Sequence, residues 1–213
     1  PAPPEGTWLL RRAVAIDQSL LAHVAWLVHR SGLLCASRPL TGETELSAQW
    51  AADVAPALAM WVKGPPSRVR FWPGNLGEAE WINGHTGAGA SIPLPEAVLE
   101  IVAPIGGIDV VVLRIQGTFR LEVTLQTATP GLTFAVTGAS VESAAVRSPI
   151  FSDTLTVNET GLNTLVRDFV VSALGGAIPA VSVPGFEKAS VVSAARVGER
   201  LWIWLEEAPP TGG

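Results

Sequence analysis

The chain is 213 residues long, room for one large domain given that domains commonly run to about 100–200 residues. Only 15% of it is charged, against about 25% in typical soluble domains, and the mean hydropathy is +0.36. The net charge of −5 gives no basic footprint for nucleic acid, and no polybasic run is present to hold an anionic membrane surface.

An excess of apolar residues has two readings: an extensive core, or apolar surface lining a groove for a ligand. The lone Cys35 excludes an internal disulfide and lies in the apolar run Leu33-Leu34-Cys35-Ala36, where it reads as a small buried hydrophobe. It does not fix the compartment, which stays open between cytoplasm, periplasm and exterior. Residues 1–7 and 208–213, rich in Pro and Gly, read as flexible ends or as joints of a longer protein.

The first helix is expected to start at Asp17, a good N-cap, and to stop before Gly32. Its apolar stripe is Leu20, Val24, Leu27 and Val28, with Ile16 leading in; Trp26 lies off it. A second helix spans Leu46 to Val62 with Leu46, Trp50, Val54, Ala57, Leu58 and Trp61 on one face, and Pro56 kinks it or cuts it in two.

Beyond Gly64 the pattern changes to strands. Arg68–Phe71 alternates, Trp72-Pro73-Gly74-Asn75 turns, and Asn83–Ala90 reads as a glycine-rich loop. Ser91–Val102 reads as a strand, Asp109–Gln116 and Thr118–Gln126 as neighbouring strands divided near Gly117, and Leu132–Val136 as another. Phe119, Leu121, Val123 and Leu125 alternate with Arg120, Glu122, Thr124 and Gln126, as in a half-wet antiparallel strand. Val110, Val111 and Val112 are apolar on both faces, so that strand is sandwiched or lines something.

Asn158 can cap a helix over Glu159 to Leu174, whose Leu162, Leu165, Val166, Phe169, Val170, Ala173 and Leu174 follow helical spacing. Strands Ile178–Val183, Lys188–Ala194 and Leu201–Leu205 follow, the last two joined by a turn at Val197-Gly198-Glu199. From Phe169 to Phe186 there are eighteen uncharged residues, near the length of a membrane span, but Gly175, Gly176, Pro179 and Pro184 break them. The chain reads as soluble, without a transmembrane segment. An order of helix, strands, helix, strands without βαβ alternation argues for α+β with an antiparallel sheet.

Motifs for chemistry are sparse. His23 and His29 are six apart and point in different directions on a helix, and no Cys/His cluster has zinc spacing, so no metal or cofactor is expected. There is no Gly-x-Ser-x-Gly elbow and no Walker sequence; Gly84-His85-Thr86-Gly87-Ala88-Gly89 lacks the Lys-Ser/Thr pair. His85 is the best single candidate for a base and has no evident partner. Glu78 and Glu80 would share a strand face, where an acid–base pair and a solvated edge are both open, the latter the commoner. Eight tryptophans could form a stacking platform, yet Trp50, Trp61, Trp202 and Trp204 sit in apolar patterns that core packing explains more simply.

Two stretches carry a resemblance. Ala13-Val14-Ala15-Ile16-Asp17-Gln18-Ser19-Leu20-Leu21, then Ala25-Trp26, then Ser31-Gly32-Leu33-Leu34-Cys35, resembles the opening helix of bacterial TULIP (tubular lipid-binding) proteins. That superfamily includes bactericidal/permeability-increasing and SMP domains and the clostridial neurotoxin-cluster proteins. The helix Leu162–Leu174, then Ile178-Pro179, Val183-Pro184-Gly185-Phe186, a strand, a turn and Leu201-Trp202-Ile203-Trp204 is similar to the same group. Together they cover about a third of the chain and hold no invariant chemical group.

The resemblance implies a single TULIP-like domain over 1–213, in which an antiparallel sheet curls around a long helix, with additional short helices, and leaves an apolar groove. The implied function is non-catalytic binding or transfer of a lipid or fatty-acyl ligand, which gains about 0.8 kcal/mol per buried CH₂ without a polar anchor. Leu20, Val24, Leu27, Val110, Val112, Leu121, Val123, Leu165, Val166, Phe169 and Val170 are the expected lining, chosen by apolar face. Related modules dimerise end to end, so a homodimer or larger protein assembly is an expected partner. The competing expectation is a structural or partner-binding module whose groove is filled by its own side chains; an enzyme acting on lipid comes third.

Overall fold

In the computed structural model, residues 11–39, 49–84, 87–127, 132–151, 155–174 and 189–207 are described. In chain order they form β1 (Arg11–Asp17), α1 (Gln18–Arg30), β2 (Ala36–Pro39), α2 (Trp50–Val54), α3 (Pro56–Ala59), β3 (Arg68–Trp72) and β4 (Glu80–Gly84). Then come β5 (Gly87–Ile105), β6 (Ile108–Thr127), β7 (Leu132–Arg147), α4 (Glu159–Leu174), β8 (Ala189–Val197) and β9 (Arg200–Glu207). Every pairing among them is antiparallel, which makes the fold α+β as the element order implies.

The strands form two sheets. The larger has the order β2-β3-β5-β6-β7 with β4 also on β5, and the smaller has β1-β9-β8. The smaller sheet joins the two ends of the described chain, because β1 pairs with β9 from Arg11↔Glu206 to Asp17↔Arg200.

β6 is one strand of 20 residues; the two strands expected on either side of Gly117 are continuous. What lies at Gly117 is a bend. On one side β5 places Pro95 and Glu96 opposite the single Thr118, and on the other β7 places Ser143 and Ala144 opposite Gly117. Each bulge needs a residue at positive φ, Glu96 at 60° and Ser143 at 52°. A Cβ at Gly117 would stand 3.0 Å from the Glu142 carbonyl oxygen, so the two bulges close around a residue without a side chain. A third bulge, between Ile101 and Val102, leaves Val112 unpaired and lets Val112 and Leu113 both be fully buried. That bulge explains why this part of β6 carries no alternation.

Other strand expectations shift at their ends. Gly87–Ala90 belongs to β5, paired with β4 from Glu80↔Ser91 to Gly84↔Gly87, and so forms a hairpin arm instead of a loop. β7 runs on past Val136 to Arg147. The turn at Gly198, φ 63°, joins β8 to β9 as the sequence implies. The expected strand Ile178–Val183 and the end of the last helix at Gly175-Gly176 lie outside the described residues.

Among the helices, α4 starts after Asn158, whose Oδ1 accepts from the Thr160 amide at 3.1 Å, and its predicted stripe is the buried one. The predicted helix over 46–62 is two short pieces, because Pro56 forces Ala55 into extended backbone (φ −154°, ψ 116°). The phase resets there: Trp50, Val54 and Leu58 are buried, whereas Ala57 and Trp61 are exposed.

α1 has the expected bounds. The Asp17 carboxylate accepts from the Ser19 amide at 3.0 Å, and the Ser31 amide closes the C-terminus on the Leu27 carbonyl. Its buried face, however, is Leu21 and Ala25, while Leu20, Val24 and Leu27 are exposed. Leu21, Ala25 and Val28 recur at helical spacing as well as Leu20, Val24 and Leu27 do, and the smaller stripe wins because Ala25 lets the helix approach Ala79, Ala88 and Ala90. Cys35, expected in the core, is exposed in the segment between α1 and β2.

The Asp17 carboxyl is held below its ordinary value of 3.8 by the Ser19 amide first, then the Ser19 hydroxyl, with Arg200 adding to it. A depressed carboxyl stabilises the fold above its unfolded-state value, and the effect is lost as pH falls through the folded-state value. Amide protection in the first turn of α1 is therefore expected to fall as pH drops below 3.8 and to lose that pH dependence in Asp17→Ala. Hydrogen exchange followed by NMR checks both.

Candidate functional site: an apolar seam between two cores

The apolar interior is two clusters. The larger takes one part of the inner face of the large sheet, with Leu94, Leu99, Phe119, Leu121 and Val123, and closes it with α2, α3 and α4. The smaller packs Trp81, Ala88 and Ala90 of the same sheet against Leu201, Ile203 and Leu205 of β9 and against Leu21 and Ala25 of α1. The C-terminal unit is thereby divided: α4 belongs to the first core, and β9 of the β8–β9 pair to the second. Among the described residues, only Leu76 and Ile92 pack against both, and each is half-buried.

Ile92 stands opposite Leu121 in the sheet register, and its neighbour two residues back, Ala90, stands opposite Val123. α1 borders the same seam, with Leu21 and Ala25 in the smaller cluster and Val28 against the larger. Its far end is tied down where the His29 Nε2–H donates to the Gly74 carbonyl at 2.9 Å, two residues before Leu76.

The eleven expected lining residues divide into three groups. Val112, Leu121, Val123, Leu165, Val166, Phe169 and Val170 come together in the larger cluster, each 4% exposed or less. Val110 packs half-buried against that cluster. Leu20, Val24 and Leu27 lie apart from them on the outer face of α1, 54%, 37% and 58% exposed. Sequence reasoning missed Leu76 and Ile92. Leu76 is a single apolar residue inside a turn, and Ile92 differs from its strand neighbours only by its place at the seam.

On the opposite face of the large sheet the polar residues form a chain. Arg120 contacts Glu142 at 3.2 Å and Glu80 at 3.7 Å and donates to the Ser91 hydroxyl at 3.0 Å. Glu80 reaches on to Arg196 of β8 at 4.0 Å, and the Arg196 amide donates to Asn83 Oδ1 at 2.8 Å. Glu80 is therefore engaged by two arginines that fasten the small sheet to the large one; Glu78, just before β4, is exposed. Exposed pairs of this kind contribute up to about 1 kcal/mol each. His85 lies outside the described residues, and among the described residues no group of three or more His, Cys, Asp or Glu is placed to hold a metal. No helix among them is long and apolar enough to cross a membrane.

No protein-family model matches the sequence, and no curated protein matches it. Among solved structures, a lipopolysaccharide binding protein is similar over 92% of this chain at 10% identity, with a TM-score of 0.37. The chain spans 42% of that protein's length.

Proposed function

We propose that this chain is a non-catalytic module of the TULIP type that binds a lipid or comparable apolar ligand, its large sheet curling around α4. The observation that carries the reading is the seam: the inner face of one sheet is closed by two separate bodies in contact through two half-buried side chains, Leu76 and Ile92. An acyl chain entering there would displace those two and lie along Leu121 and Val123, which stand opposite Ile92 and Ala90. The bend at Gly117 curves the sheet in the sense such a half-pipe needs. Holding an acyl chain requires apolar surface and no nucleophile, in keeping with a sequence without a catalytic motif.

A second reading has its own observation. Seven of the expected lining residues are 4% exposed or less and packed on one another, which favours a filled interior and a role as a partner-binding piece of a larger assembly. Organic extraction and mass spectrometry of the purified chain separate the two. Co-purifying acyl lipid, or saturable uptake of a fluorescent fatty acid, is expected. A chain that carries none and takes up none belongs to the second reading.

A further inference from the structure

We propose that the outer face of α1 docks on an anionic lipid surface. Around a helix of 3.6 residues per turn, the exposed positions run in the order Trp26, Arg30, His23, Leu27, Leu20, Val24, and the next positions, Val28, Leu21 and Ala25, turn into the protein. An apolar stripe is thus flanked on its outer side by basic residues and an aromatic ring. Leu20, Trp26 and Leu27 are each more than half exposed, with Leu33 also exposed just beyond the helix. The Arg30 guanidinium sits over the Trp26 ring, 5.7 Å from its centroid, and a tryptophan beneath a cation suits the boundary between acyl chains and headgroups.

Charge selects the partner. The chain as a whole carries 19 acidic residues against 14 Lys and Arg, yet α1 has no acidic residue, only His23, His29 and Arg30. Apolar insertion of the stripe supplies the hold, because there is no polybasic run, and Arg30 with the histidines sets the preference for anionic headgroups. The docking rests on the apolar-ligand reading for its purpose: α1 borders the seam, so a membrane lying on its outer face would be next to the entry.

Flotation with vesicles of equimolar phosphatidylcholine and phosphatidylglycerol tests this. The chain is expected to float with them, and Leu20→Glu/Leu27→Glu to lower the partition at least about tenfold, since each leucine buried contributes more than a factor of ten. Leu20→Gln/Leu27→Gln, which adds no charge, should show the loss as well; circular dichroism should match the native chain for both. Arg30→Gln should weaken binding to the anionic vesicles and leave pure phosphatidylcholine vesicles unaffected. A native chain that stays in the aqueous fraction, or double variants that float like it, overturns the proposal. So does a dimer in sedimentation that Leu27→Glu breaks, which would give the face to a second copy. Docking without any bound acyl chain sinks the apolar-ligand reading alone, and fatty-acid uptake without flotation sinks the docking alone.

Discussion

Phe169→Asp is expected to abolish the cooperative fold, and Leu27→Asp to leave it intact, although the two leave the same kind of apolar residue behind in the sequence. Phe169 is 1% exposed in the cluster where α4 meets the inner face of the large sheet. Removing the ring alone costs about 3–5 kcal/mol. A carboxylate in its place has no cation within the cluster and must be desolvated or protonated, which adds to that cost. Against a total stability of about 5–15 kcal/mol for a domain, the sum removes most or all of it. Leu27 is 58% exposed, and a substitution there stays within about 0.5 kcal/mol. Urea titration followed by circular dichroism reads both. A Phe169→Asp chain with a native midpoint that no longer takes up fatty acid would mean that this face lines an open groove; a chain that does not fold makes it core.

The contrast between those two positions also marks what the sequence could and could not disclose. α4 was legible, boundaries and face together, because its stripe from Leu162 to Leu174 is wide and has no competitor. α1 was legible in its bounds through Asp17 and Gly32, which act through the local backbone. Its buried face was not, since Leu20-Val24-Leu27 and Leu21-Ala25-Val28 are both helical stripes. The choice between them is made by Ala79, Ala88, Ala90 and Leu201, far away in the chain. Gly117 was visible as an irregularity, but whether it ends a strand or bends one depends on bulges in its neighbours at Pro95-Glu96 and Ser143-Ala144. The seam was illegible for the same reason. Nothing near Ile92 in sequence records that two separately closed cores meet on it.

The second large effect is expected at Gly161, where local and tertiary preferences oppose each other. Gly161 lies in the first turn of α4, and a glycine-to-alanine change inside a helix ordinarily stabilises by about 1 kcal/mol. Here α4 begins hard against the end of α2: the Asn158 amide donates to the Val54 carbonyl at 2.8 Å, and a Cβ on Gly161 would overlap the Asp53 carbonyl oxygen and stand 2.6 Å from its carbon. Both obstructing atoms are backbone, which cannot rotate away as a side chain can, so relief requires the two helices to part. That opens the contact that closes the larger core at this end, with Trp50, Val54 and Leu58 on one side and Leu162 and Leu165 on the other. Overpacking of this kind costs about 1–3 kcal/mol where side chains can adjust, and the high end applies where they cannot. The steric cost exceeds the propensity gain, and Gly161→Ala should lower the melting temperature by about 4–8 °C, at about 2–4 °C per kcal/mol for a chain of this size. Thr164→Ala on the exposed side of the same helix, which removes atoms instead of adding them, should leave the melting temperature unchanged or raise it slightly. A higher melting temperature for Gly161→Ala would mean that α2 and α4 do not touch at this point and that the larger core is closed some other way.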